Sequence, residues 1–453
     1  MSERVTGKKN LSAVKIIGIF YVGTILLGAI LLWLPIFHKS GVSISLVDAL
    51  FTSASAVSVT GLTVVNTADT FNVAGKIVLL IFIQFGGIGI MTLGTFIWVV
   101  MGRKIGLKDR QLIMIDQNRS DFSGLVVLMK KVLAMAFALE VLGGLILGTY
   151  FLKYYPNWYE AYFYGAFHSI SGFTNAGFDI FGNDSLVRYA GDYFVQSITM
   201  ILLIFGSIGF TVLLEVRNYI SMRHNKKNFR FSLYTKLTTV TFFTLLLIGA
   251  VLILLFENNA AFAGMSWHEK LFYSLFNSVT ARNGGFSTID ISIFNTHTLF
   301  LISILMVIGA SPSSCGGGIR TTTFAVLVLA MISFARGKKE VIVFNRRLDD
   351  GDILKSFVVF STAAILLGTS IILLGIFEGD RFSLMQIIFE VSSAFGTTGL
   401  SMGITADLSD PSKILVTILM FIGRIGILSL LFLFREDRRA VKIHYPTEKI
   451  IIG

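Results

Sequence analysis

The sequence predicts an all-α integral membrane protein of four tandem repeats, and three observations predict it. The first is composition: the 453 residues are 54% hydrophobic and only 14% charged, with a mean hydropathy of +0.76. The second is the stretch of 26 uncharged residues between Lys76 and Arg103; a bilayer core needs only about 20 apolar residues as helix. The third is a phrase written four times: Thr60-Gly61-Leu62, Ala176-Gly177-Phe178, Gly284-Gly285-Phe286 and Thr398-Gly399-Leu400, with the glycines 116, 108 and 114 residues apart. A period of about 110 residues is a folding unit in itself, not a solenoid repeat.

Each unit reads as a long apolar helix, a short apolar segment, the glycine loop and a second long helix. The units are 1–112, 113–232, 233–345 and 346–453. First helices are expected over 14–36, 132–152, 235–256 and 356–377, and second helices over 75–101, 193–216, 298–334 and 413–434. The run 14–36 is too long for a signal-peptide core and no small-residue cleavage pattern follows it, so it is expected to remain as the first helix. The segments 46–58, 160–172, 268–280 and 382–394 are too short to span and suit re-entrant half-helices. Counting back fourteen from each glycine gives Val47, Phe163, Leu271 and Met385; counting back ten gives Phe51, Phe167, Leu275 and Phe389. That spacing predicts one apolar face kept in all four copies. The second helices share Gly86-Gly87-Ile88-Gly89, Gly206-Ser207-Ile208-Gly209, Gly309-Ala310-Ser311-Pro312 and Gly423-Arg424-Ile425-Gly426, small residues that let helices approach closely.

Charge placement sets the orientation. Of the 38 Lys and Arg, 28 fall in the N-terminus, the links near 103–131, 217–236 and 336–355, and the C-terminus, against seven on the opposite side. The positive-inside rule then puts both termini in the cytoplasm and explains the net charge of +11 without nucleic acid. The single cysteine, Cys315, excludes an internal disulfide framework, and the six histidines show no metal-ligand spacing.

Non-helical backbone at membrane depth costs several kcal/mol per unsatisfied polar group unless it is buried or lines a wet cavity. Cation filters use such backbone, whose inward carbonyls replace the water shell of an ion. Glycine suits it because it adopts positive φ, and each half-helix would aim its partially negative C-terminal end at the centre. The candidate filter stretches are Val59-Thr60-Gly61, Asn175-Ala176-Gly177, Asn283-Gly284-Gly285 and Thr397-Thr398-Gly399, each with its following bulky residue, and none holds Asp or Glu. Carbonyl selection therefore fits better than a carboxylate ring. The plainer alternative is four tight turns that only reconnect helices.

The phrases Ser58-Val59-Thr60-Gly61-Leu62, Thr174-Asn175-Ala176-Gly177-Phe178-Asp179, Thr280-Ala281-Arg282-Asn283-Gly284-Gly285-Phe286 and Gly396-Thr397-Thr398-Gly399-Leu400-Ser401 resemble the four filter motifs of the Trk/Ktr/HKT superfamily of potassium transporters. The resemblance covers essentially the whole chain. It implies four helix–pore-helix–filter–helix repeats, with eight spanning helices, around one pseudo-fourfold pore, and a subunit similar to the KtrB type. By the same resemblance Gly61, Gly177, Gly285 and Gly399 are selectivity glycines. A serine at the first position accompanies sodium-selective members, so Gly61 favours K+ as the transported ion, with Na+ left open as an activator. A homodimer in membrane lipid and a cytosolic KtrA-type nucleotide-binding ring are the implied partners. No nucleotide-binding motif occurs in the chain itself. The links near 217–236 and 336–355 are candidate docking surfaces, and Ile450-Ile451-Ile452-Gly453 a candidate dimer contact.

The third second-helix carries Ser311-Pro312-Ser313-Ser314-Cys315-Gly316-Gly317-Gly318, where proline and three glycines should break the helix at membrane depth. A polar loop there could obstruct an ion path, and the resemblance matches it to an intramembrane gate; a packing kink is the alternative. Arg424 lies mid-helix, where a charge costs about 2.5–3.5 kcal/mol. It is expected to pair with carbonyls at pore-helix ends, as a brace, an ion-tuning charge or both. Arg320 either holds the gate loop or snorkels, and Glu140 is expected to be paired or near an interface rather than an ion site. An embedded enzyme finds no clustered nucleophile and base, and a coupled carrier would need acidic residues along its path. A sodium-selective or weakly selective cation pathway is the nearer competitor.

Overall fold

Four helices begin the story, because their sequences are apolar all round. In the computed structural model, which describes residues 13–90, 92–94, 106, 114, 125–182, 185–223, 229–433, 446 and 448, they are Ala13–Trp33, Leu125–Phe151, Leu233–Glu257 and Asp350–Glu378. Their outer faces expose Leu26, Ile30, Val141, Leu145, Leu247, Leu255, Ile365 and Ile376, which suits contact with hydrocarbon and not with water. All four are long and apolar enough to cross a bilayer. The segment Ile450–Gly453 lies outside the described residues, as do most of the first basic link and of the basic C-terminus.

A short helix follows each: Leu46–Ser58, Trp158–Phe173, Trp267–Thr280 and Leu384–Gly396. Polar caps set the start of three of them. Ser45 Oγ accepts from the Asp48 N–H at 3.0 Å, while Ser266 with Glu269 and Ser383 with Gln386 form capping boxes. Small side chains dock these helices on the long ones: Ser53, Ser169 and Ser278 donate to the carbonyls of Ile25, Glu140 and Leu246 at 2.7, 2.8 and 2.6 Å.

The third unit runs one residue out of step with the sequence count. Phe51, Phe167 and Phe389 are fully buried as the spacing predicts, but the matching residue in unit three is Phe276, and Leu275 is only partly buried. Likewise Leu271 is 40% exposed, where Val47, Phe163 and Met385 are half-buried. From the buried phenylalanine to the glycine is nine residues in unit three and ten in the others, so counting back from Gly285 lands one position early on the helix.

The second helices differ more. The sequence predicts a break in the third alone; all four break. Val73–Ile88 stops at Gly89, Tyr193–Ser207 at Ile208-Gly209, Thr296–Val307 at Ile308, and Asp410–Ile425 at Gly426. The glycines sit at φ +104°, +103° and +88°, where a Cβ is poorly tolerated. The chain turns by 102° between Tyr193–Ser207 and Phe210–Ser221, and by 100° between Asp410–Ile425 and Ile427–Leu433. The described residues thus hold four spanning helices, or six if each of these bent pairs counts as one. Upstream, Gly86, Gly206 and Gly423 press on the carbonyls of Val57, Phe173 and Phe395 at the ends of the short helices, the close approach that the small residues predict. The link 336–355 carries a two-stranded hairpin, β1 (Ile342–Val343) and β2 (Arg346–Arg347), which no sequence pattern announced.

Candidate functional site: a ring of four glycine loops

Each short helix ends at one of the glycine loops, and the four loops meet. The residue two before each glycine has positive φ (Val59 +58°, Asn175 +60°, Asn283 +71°, Thr397 +52°), and so does each glycine (Gly61 +93°, Gly177 +67°, Gly285 +74°, Gly399 +91°). The residue between them does not, so each loop alternates in the sign of φ. In three loops the first step is a left-handed helix cap: Thr60, Ala176 and Thr398 donate back to Ser55, Ser171 and Ser393 carbonyls at 2.8, 2.8 and 2.9 Å. In the third loop the turn is one residue tighter, and Gly284 donates to Thr280 O instead, at 2.6 Å.

The glycines form a closed ring in chain order. A Cβ on Gly61 would lie 2.5 Å from Ala176 O, on Gly177 3.3 Å from Gly284 O, and on Gly285 2.7 Å from Thr398 O. On Gly399 it would strike Thr60 O, completing the circle. Thus the carbonyl preceding each glycine lies beside the glycine of the previous unit, four times over.

Sequence reasoning missed the hydroxyls that brace the ring. Ser55 and Ser393 Oγ each accept from the N–H of Gly61 and Gly399 at 3.1 Å. Ser171 and Thr280 donate to Phe178 O and Phe286 O at 2.6 and 2.7 Å. The signal was available, since Ser55, Ser171 and Ser393 all stand six residues before their glycine. Behind the fourth loop, buried Glu390 accepts from Ser401 Oγ at 2.8 Å and Thr405 Oγ1 at 2.5 Å.

On one side of the ring opens a cavity of about 510 Å³, walled by residues that follow the glycines. Among the described residues its lining includes Asp179 and Asp290 and no Lys or Arg. On the other side the segment 309–320 crosses the molecule. Ser311 and Cys315 donate to Ser207 O and Gly206 O at 3.0 Å each, Phe210 N–H to Ser313 O at 2.6 Å, and Tyr234 Oη to Pro312 O at 2.6 Å. Gly318 N–H reaches Gly423 O at 3.3 Å, and Gly316 packs on Asn283. Ser314 Oγ closes the loop on itself at Ser311 O, 2.6 Å away.

The three arginines inside the repeats converge on this segment. Arg282, fully buried, donates to Gly309 O at 2.8 Å, its guanidinium 5.1 Å from the Phe242 ring centroid. Arg320 donates to Gly316 O and so holds the loop rather than snorkelling. Arg424 donates to Cys315 O, Gly86 O and, at 3.1 Å, Gly87 O. Its partners are therefore the loop and a neighbouring second helix, not the pore-helix ends expected from sequence. The reason is the break after Arg424, which places the side chain level with the loop. Glu140 is paired as expected, receiving the Gln84 amide at 3.0 and 2.8 Å.

The chain belongs to the TrkH family of cation transport proteins, whose family model matches residues 13–442. Members of this family are transporters, not enzymes. The chain is 55% identical to the "Ktr system potassium uptake protein D" of Bacillus subtilis, over 98% of each chain. It is 34% identical to the "Potassium/sodium uptake protein NtpJ" of Enterococcus hirae, over 100% of this chain and 99% of that one. The crystal structure of the potassium transporter TrkH from Vibrio parahaemolyticus shares its fold, with a TM-score of 0.74 at 20% identity, covering 96% of this chain and 87% of that one.

Proposed function

We propose that the chain takes up potassium across the cytoplasmic membrane through the glycine ring, acting as a carbonyl selectivity filter, with the segment 311–318 as its gate. The single observation that carries this reading is the cyclic relation of the four carbonyls Thr60, Ala176, Gly284 and Thr398 to the four glycines. It supports a ring of backbone oxygens without charged side chains, the chemistry that replaces the hydration shell of a weakly hydrated cation. The short helices end at this ring and bring their partial negative charge to it. The acidic, Lys- and Arg-free cavity is then the entrance, facing outward under the positive-inside orientation with both termini cytoplasmic. The four units 1–112, 113–232, 233–345 and 346–453 are the walls of the pore, and each broken second helix counts as one span to give eight.

The gate lies beneath the ring, its carbonyls held by Arg282, Arg320 and Arg424. Three guanidiniums near the path also limit how tightly a cation rests there. Control comes from outside the chain, by a cytosolic nucleotide-binding ring of the KtrA type docked on the basic links of a lipid-embedded homodimer. The relatives, a Ktr system potassium uptake protein and a potassium/sodium uptake protein, support potassium uptake and keep a second reading open, in which sodium also passes or activates. Gly61, in place of serine, favours potassium. Rescue of growth under potassium limitation, in cells lacking their own uptake systems, tests the proposal: the intact chain rescues and Gly61→Ser rescues poorly while admitting sodium. Failure of the intact, membrane-inserted chain to rescue would contradict it.

A further inference from the structure

We infer that the Thr397 hydroxyl is a positioning group that ties the segment 311–318 to the shape of the glycine ring, so that gate and filter change together. The inference rests on the filter-and-gate reading above and adds a physical link between its two parts.

Thr397 is fully buried and begins the fourth loop at φ +52°, a region that a β-branched residue adopts at a cost of about 1–3 kcal/mol. Neighbours must hold it there. Its N–H donates to Ala394 O at 3.2 Å, and its Oγ1 accepts two further bonds, from Gly317 N–H at 2.9 Å and Asn283 Nδ2 at 3.1 Å. Asn283 opens the third loop, itself at φ +71°, and its amide also donates to Thr397 O at 3.2 Å and to Gly396 O. One hydroxyl therefore joins the third filter strand, the fourth filter strand and the gate backbone. The equivalent residues of the other two units make no such link: Val59 has no hydroxyl, and Asn175 donates to Leu203 O at 3.3 Å. The contact is close as well as polar, since a Cβ on Gly317 would stand 2.6 Å from Thr397 Oγ1.

Withdrawal of the gate removes the Gly317 donor and leaves Thr397 to Asn283 alone. The left-handed turn that sets the Thr398 carbonyl loses part of its support, and the ring relaxes. Coupling of this kind is reciprocal, so removing the hydroxyl must loosen the gate as well. Selectivity and resting leak thus become one property read at two places.

The test uses purified protein in liposomes, measuring resting potassium flux and the potassium-to-sodium flux ratio. Thr397→Val keeps the branched shape and deletes the hydroxyl; the leak rises and the ratio falls, each by about three- to tenfold, the span set by one or two hydrogen bonds. Thr397→Ser, which keeps the hydroxyl, restores both. Gly317→Ala lies outside the filter and leaves its sequence intact, yet by pushing on Thr397 it lowers the ratio, and it serves if Thr397→Val does not fold. An unchanged ratio in Gly317→Ala, or a Thr397→Val variant altered in only one of the two properties, overturns the inference while the filter reading stands. Absence of potassium flux through the unaltered protein overturns both.

Discussion

At the scale of single residues, the glycines of the ring are explained twice over. Each stands at positive φ, and each lies against a carbonyl of the next unit. Gly285 shows both demands, with a Cβ landing 2.7 Å from Gly177 Cα and from Thr398 O, so Gly285→Ala must push two strands apart. We expect potassium uptake to fall at least about tenfold, the effect of roughly 1.4 kcal/mol on a barrier, with the protein still inserted; isotope uptake against membrane content checks this. The glycines were legible because four copies in phase leave little room for coincidence. The bracing hydroxyls of Ser55, Ser171 and Ser393 repeat as regularly, but serine in a short helix has many uses and its bond appears only once the loop is folded back. The burial of Arg424 was legible from its apolar neighbours, and its partners were not, because they lie in other units. Arg424→Met leaves the carbonyls of Cys315, Gly86 and Gly87 without this donor. Charged hydrogen bonds contribute about 1.5–3 kcal/mol each, so thermal unfolding in detergent shifts down and resting leak goes up. An unchanged melting temperature would deny Arg424 its bracing role.

At the scale of elements, the long first helices and the short helices follow from hydrophobic length and serine caps, both visible in the chain. Breaks in the second helices are another matter. Proline and three glycines announced the third, whereas Gly89, Gly209 and Gly426 read equally well as small packing residues in continuous helices. A single glycine in an apolar helix costs only about 1 kcal/mol, too weak a signal to reveal a turn of some 100°. The one-residue slip in unit three has the same origin: the count from Gly285 assumed equal spacing from helix to glycine, and only the tighter Gly284-to-Thr280 turn shows the missing residue. Gly209 carries an element-scale prediction. It sits at φ +103°, a Cβ there would lie 2.8 Å from Pro312 O, and the Phe210 N–H beside it holds Ser313 O. If the segment 311–318 is the gate, Gly209→Ala should therefore displace it and raise resting flux, while Tyr234→Phe, which removes the bond to Pro312 O, raises it by a smaller factor. Flux equal to the unaltered protein in both variants would separate the loop from gating.

At the scale of the whole molecule, the proposed ring of units must close, and polar contacts mark its seams. Lys413 Nζ meets Asp48 Oδ1 at 2.7 Å, joining the fourth unit to the first across 365 residues, with side chains only 11% and 19% exposed. Gln84 and Glu140 join the first unit to the second. Breaking a largely buried pair by removing one partner costs about 3–5 kcal/mol, less here because both groups retain some water. Lys413→Met should lower thermal stability in detergent, and the double variant with Asp48→Leu should recover much of the loss. Additive losses would show that the two side chains do not act as a pair. None of these seams was legible, because a lysine and an aspartate so far apart carry no local pattern. What composition and repetition did convey was the class of protein and the residues of the ring.

On the proposed function, carbonyls of four units hold a dehydrated potassium ion. Crystals grown in rubidium, a potassium mimic with an anomalous signal, test it most directly. Anomalous density is expected on the axis of the ring, among the Thr60, Ala176, Gly284 and Thr398 oxygens, displaced by potassium and not by equal sodium. Density confined to the acidic cavity, with none inside the ring, would contradict it.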